Sequence, residues 1–126
     1  MNEQQLYNYL RTRYLQDLEQ VVDQYEAYDC FSEYGRLQIE LKCRSKHYDL
    51  LLLERDKYDA LMATAVARGY APWYVNSTPS GVYAFDLCKF NLWWTERDFP
   101  ASTEFGSAVK VRKSVTYLPV SQALCL

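Results

Sequence analysis

Eight residues, Leu37 to Arg44, alternate without a break between apolar and polar side chains: Leu-Gln-Ile-Glu-Leu-Lys-Cys-Arg. Successive side chains of a strand point to opposite faces, so Leu37, Ile39, Leu41 and Cys43 share one face, and Gln38, Glu40, Lys42 and Arg44 share the other. Just upstream, Ala27 to Phe31 reads as a second strand, and Ser32-Glu33-Tyr34-Gly35 as the turn between them. A loop of even length centred between Tyr34 and Gly35 places Asp29 directly opposite Glu40. Opposed residues of an antiparallel pair point to the same side, with Cβ atoms about 5 Å apart. Two carboxylates held that way repel, and a divalent cation is the usual remedy. Lys42, two residues beyond Glu40, points into the same space. Asp29, Glu40 and Lys42 are therefore the candidate site.

With 126 residues, 49% hydrophobic and 24% charged, the chain has enough material for one domain with a true core and too little for two. Residues 1–126 are read as that single domain. The start, Met-Asn-Glu-Gln-Gln, has no cationic segment leading into an apolar one, and no apolar run approaches the ~18 residues of a membrane span. A cytoplasmic protein without membrane contact is expected. Cys30, Cys43, Cys88 and Cys125 form no C-x-x-C pair and His47 has no cysteine at zinc spacing, so reduced cysteines are expected. A net charge of -2 excludes a histone-like coat protein. Basic residues nonetheless cluster, as Arg36, Lys42, Arg44 and Lys46 around the hairpin, and as Lys110, Arg112 and Lys113 near the C-terminus. These are candidate phosphate contacts.

Around the hairpin, Leu6, Tyr9, Leu10, Tyr14 and Leu18 recur at spacings of three and four, which predicts a helix from about Glu3 to Leu18 capped by Asn2. One or two strands are expected between Glu19 and Phe31, and a short extended segment ending Tyr48 to Leu53. A second helix is expected over Glu54 to Arg68, stopped by Gly69. Strands at Ala71 to Asn76 and Gly81 to Leu87 follow, joined by a hairpin loop at Ser77-Thr78-Pro79-Ser80. Trp93, Trp94 and Phe99 are expected to cover the end of the sheet, and Ala108 to Leu118 to form a last strand carrying the basic residues.

Asp29 followed by Glu40-Leu41-Lys42 on an apolar-flanked strand resembles the signature of the PD-(D/E)xK nuclease superfamily, except that Tyr28 stands where its proline would precede the first acid. The order of elements from Glu3 to Leu87 is similar to the superfamily's minimal core. The resemblance implies an α/β restriction-endonuclease-like fold, with a central mixed β-sheet flanked by helices, an αβββαβ core and extra C-terminal strands. In size the chain is similar to small phage and Holliday-junction-resolvase-like members. By the same resemblance Asp29, Glu40 and the backbone carbonyl of Leu41 would hold Mg2+ or Mn2+, and Lys42 would position the attacking water. Lys57 and Arg44 would assist at phosphates, and a further acid would come from the first helix, with Glu3 and Glu19 as the candidates. The implied activity is metal-dependent hydrolysis of phosphodiester bonds in DNA, branched or phage DNA included, by a homodimer. The apolar C-terminal residues Leu118-Pro119-Val120 and Leu124-Cys125-Leu126 would supply its interface. Two other classes stay open. One is a nuclease fold that binds nucleic acid without cutting, and the other a phage or mobile-element interaction protein with an exposed aromatic surface near Trp93 and Trp94.

Overall fold

The computed structural model describes residues 1–23, 26–100 and 109–126. Helix α1 (Glu3–Arg13) is closed at its start by Asn2, whose side chain accepts from the Gln5 N–H at 2.8 Å while the Gln5 side chain accepts from the Asn2 N–H at 2.8 Å. This reciprocal pair satisfies two amide donors that a helix start otherwise leaves without partners. The helix ends five residues before Leu18. Beyond Arg13, Asp17 is held elsewhere: its carboxylate accepts from Ser32 Oγ at 2.8 Å and from the Tyr34 N–H at 2.9 Å. Residues 14–18 thus brace the hairpin turn rather than extend the helix.

The strands are β1 (Glu19–Gln20), β2 (Cys30–Ser32), β3 (Leu37–Cys43), β4 (Leu50–Glu54), β5 (Ala71–Thr78), β6 (Gly81–Asp86), β7 (Thr95–Pro100), β8 (Lys110–Pro119) and β9 (Leu124–Cys125), with helix α2 (Arg55–Arg68) between β4 and β5. Six of them form a central sheet in the order β1-β2-β3-β5-β6-β9. Within it β3 and β5 run parallel and the other neighbours antiparallel. A parallel pair needs a crossover, and β4 with α2 supplies it. Gly69 ends α2 in the left-handed conformation at φ 71°, where a side chain would be strained.

One face of the sheet packs Ile39, Leu41, Val75 and Val82 against Leu6 and Leu10 of α1. The other packs Tyr74 and Phe85 against Leu61 of α2 and Leu51, Leu53 and Leu118 of a second sheet, ordered β4-β8-β7. The α/β fold with a mixed sheet and flanking helices is as expected, but β4 was not foreseen as a strand that leaves the central sheet. It departs because β8, laid down some sixty residues later, pairs with it over Leu50↔Pro119 to Glu54↔Val115.

The polar face of β3 is closed at its start, where Gln38 is fully buried and donates to Thr64 Oγ1 at 2.7 Å, and opens towards Lys42. Two other expectations are corrected. Trp93 is 85% exposed, and only Trp94 packs, 5.2 Å from the Tyr58 ring. The apolar C-terminus is largely consumed internally. Leu118 is buried, Val120 packs on the second core and Leu126 on the first, which leaves Leu124 at 56% exposure. Among the described residues no helix is long and apolar enough to cross a membrane.

Candidate active site

The turn between β2 and β3 sets the register by which the two acids meet. Cys30 pairs with Ile39, Phe31 with Gln38 and Ser32 with Leu37, the register expected from a loop centred between Tyr34 and Gly35. Arg36 rather than Gly35 takes the left-handed position, at φ 53°. Asp29 sits on a bend just before β2. Its N–H donates to the Ile39 carbonyl at 2.9 Å, one residue short of the β2–β3 register, as happens at a β-bulge. The slip turns the Asp29 carboxylate across the end of β2, where Oδ2 accepts from the Leu41 N–H at 2.7 Å.

Glu40 points to the same side, half-buried, and burial followed by the charge of Asp29 pushes its carboxyl up to about 7. Lys57, from the first turn of α2, opposes that rise with its Nζ 3.4 Å from Glu40 Oε1. Glu3, in the first turn of α1, joins the group. Its carboxyl is raised by partial desolvation, then by a hydrogen bond with Asp29 and that residue's charge, and is lowered by Lys57. Of the two candidates for a further acid, Glu3 is the one beside Asp29. Glu19 is exposed on β1, opposite Phe31.

Lys42 projects from β3 into a hollow that it lines with Glu40, Arg44, Glu54, Lys57 and Tyr74. Arg44 forms much of its floor. Its Nε donates to Asn76 Oδ1 at 2.7 Å, and its Nη2 to the Leu52 carbonyl at 2.6 Å and to the Tyr74 hydroxyl at 3.2 Å. These bonds join the two sheets, so Arg44 shapes the hollow while its donors serve the fold. The other basic candidates are dispersed. Lys46 is exposed in the loop after β3. Lys113 pairs with Glu54 at 2.8 Å, Arg112 pairs with Glu96 at 3.5 Å and Asp98 at 3.6 Å, and Lys110 is exposed at the start of β8.

The sequence reading missed two features of this region. Glu26 and Asp56 line a second hollow with Asp29, Glu40 and Lys57. In addition, Tyr28, standing where the superfamily has proline, is clamped: Arg68 of α2 donates to its hydroxyl, lies 5.5 Å over its ring and 4.8 Å over that of Phe31. Only the Tyr28-Asp29 sequence itself hinted that the missing proline needed a substitute.

A mixed sheet whose parallel centre is joined by a helical crossover, with helices on its two faces, is the restriction-endonuclease-like fold. In that fold the chain is similar to Hjc, the Holliday junction resolvase of the archaeal hyperthermophile Archaeoglobus fulgidus, with a TM-score of 0.65 and 20% identity over 97% of this chain and 94% of that one. No protein-family model and no curated protein matches the sequence.

The donor set suits a hard divalent cation, which prefers carboxylate and carbonyl oxygens. A residue's C=O in an extended strand faces the same neighbour as its N–H, so the Leu41 carbonyl lies on the Asp29 side. As they stand, the described residues bring no three His, Cys, Asp or Glu side chains around one point closely enough to hold a metal ion. Glu3, Asp29 and Glu40 touch as a chain of carboxyls centred on Asp29, and Lys57 occupies one oxygen of Glu40.

Proposed function

We propose that the chain is a metal-dependent nuclease that hydrolyses phosphodiester bonds in DNA. The observation that carries this is the pairing of Asp29 and Glu40 at the end of β2, on the side to which Lys42 also points. A carboxyl that burial, and then a neighbouring acid, pushes up to about 7 is costly for the fold, and such perturbed groups gather at functional sites. In this reading Asp29 and Glu40 hold Mg2+ or Mn2+ with the Leu41 carbonyl, and Glu3 backs Asp29. When bound, the cation neutralises phosphate charge and makes water more acidic. The Lys42 ammonium orients the attacking water and donates to charge developing on the phosphoryl oxygens. Lys46, Lys110, Arg112 and Lys113 contact flanking phosphates, which positions DNA without reading its sequence. The likeness to Hjc, a Holliday junction resolvase, supports branched DNA as substrate.

A second reading, a nuclease fold that binds nucleic acid without cutting, is favoured by the open arrangement of the acids and by Lys57 on Glu40. Cleavage assays with Mg2+ or Mn2+ on linear, nicked, branched and single-stranded substrates separate the two. The wild type is expected to cut. Lys42→Ala should lose most cleavage yet keep DNA binding and its metal-induced rise in melting temperature, whereas Glu40→Ala should lose cleavage and metal response together. If the wild type cuts no substrate with either metal, or Lys42→Ala cuts normally, the catalytic assignment fails and the binding module takes its place.

A further inference from the structure

Lys57 stands between a hollow of mixed charge and an acidic one. On one side lies a space of about 110 Å³ lined by Lys42, Arg44, Glu54 and Tyr74; on the other, one of about 420 Å³ lined by Glu26, Asp29 and Asp56. Glu40 and Lys57 line both, so their 3.4 Å contact is the partition. The two partners differ in freedom. The Glu40 side chain is 15% exposed and comes from a central strand, whereas that of Lys57 is 55% exposed and hangs from a helix end by a four-carbon stem. An ion pair wetted on one side is weak and exchangeable.

A divalent cation and an ammonium cannot both settle on Glu40, since the first repels the second. Moving away into the smaller hollow, Lys57 meets the like charges of Lys42 and Arg44, and Glu54, which also lines it, already pairs with Lys113 at 2.8 Å. A DNA phosphate there would accept the released ammonium. From this geometry we infer that Lys57 is an exchangeable counter-ion: it occupies Glu40 in the metal-free chain and passes to a DNA phosphate when a divalent cation takes its place, so that metal and DNA bind cooperatively. The inference rests on the metal-nuclease reading of Asp29 and Glu40. Such coupling is reciprocal: DNA must tighten the metal by the factor by which metal tightens DNA.

The experiment measures Mn2+ binding by electron paramagnetic resonance of the free ion, on the full chain, with and without duplex DNA at constant ionic strength. The Lys42→Ala background is used where DNA is present, to prevent cutting. Lys57→Met keeps the stem and removes the charge. Without DNA it should bind Mn2+ about fivefold more tightly than wild type, the effect of one partly solvated charge pair, and DNA should tighten it less than the parent. Lys57→Arg, which keeps the charge, should restore wild-type affinity. A Lys57→Met affinity equal to or weaker than wild type, with Mn2+ still bound by both, overturns this inference and leaves the metal site standing. Failure of both proteins to bind Mn2+ overturns the metal site and this inference together.

Discussion

At Glu40, burial and the charge of Asp29 act in the same direction, and the consequence is measurable. Its carboxyl ordinarily titrates at 4.5 and in the fold at about 7, so between those values the native state holds more protons than the unfolded chain. Stability from this group is present in full below pH 4.5 and is lost as pH rises through 7. Without metal, the loss should be on the order of 2 kcal/mol, less than the full shift implies because the site is partly wet. Glu40→Gln removes the titration and should flatten that part of the metal-free curve while stabilising the chain at pH 8, read by urea denaturation. An unchanged slope would place the strain elsewhere. That Glu40 and Lys42 share a side was legible in the sequence because a period of two assigns each side chain to a face, whereas Asp29 reaches that side only through the slip at the end of β2. Glu3 and Lys57 were not settled, since their nearness to Asp29 and Glu40 is made by the packing of α1 and by the crossover, which no local pattern encodes.

Among the elements, α2 does more than complete the crossover, because its last turn holds the segment that carries Asp29. Arg68 lies over the rings of Tyr28, Phe31 and Tyr70 at 5.5, 4.8 and 4.3 Å, and Tyr28 immediately precedes the acid. A proline would fix that backbone through its ring; here a guanidinium fixes it through a side chain. Arg68→Ala should cost about 1 kcal/mol of stability, the scale of an exposed cation–π contact. It should also reduce the rise in melting temperature produced by Mn2+, because Asp29 is less well placed. Lower stability with an undiminished Mn2+ response would show that the clamp serves the fold alone. The helices and β3 were readable from caps, Gly69 and alternation. The second sheet was not, because the affinity of β4 for β8 over β3 lies in side chains separated by some sixty residues, and Leu50 to Leu53 is apolar without alternation.

For the whole molecule, the question is what covers the α1 side of the central sheet near its far edge. Leu10, Leu15, Trp73, Leu124 and Leu126 line a wholly apolar hollow there, with Tyr14 at its rim 49% exposed and Leu124 56% exposed. β9 pairs for only two residues with β6 and, among the described residues, has no strand on its outer edge, a feature that invites strand addition. The dimer expected from the C-terminal residues is thus narrowed to this corner, because Leu118 and Val120 are already used inside the chain. A two-fold contact would place the same patch on both partners and give one assembly two sites for two DNA strands. Sedimentation equilibrium at micromolar concentration should report a dimer for the wild type. Leu124→Glu sets a charge into the apolar contact at an exposed residue that is itself part of neither buried core, and should shift the chain to monomer with its melting temperature nearly unchanged at low concentration. The monomer should keep Mn2+ binding, since Asp29 and Glu40 lie on other strands, but lose paired cutting of a four-way junction and retain nicking of one strand. A wild type that is monomeric under these conditions, or a Leu124→Glu variant that still dimerises, removes this face as the interface.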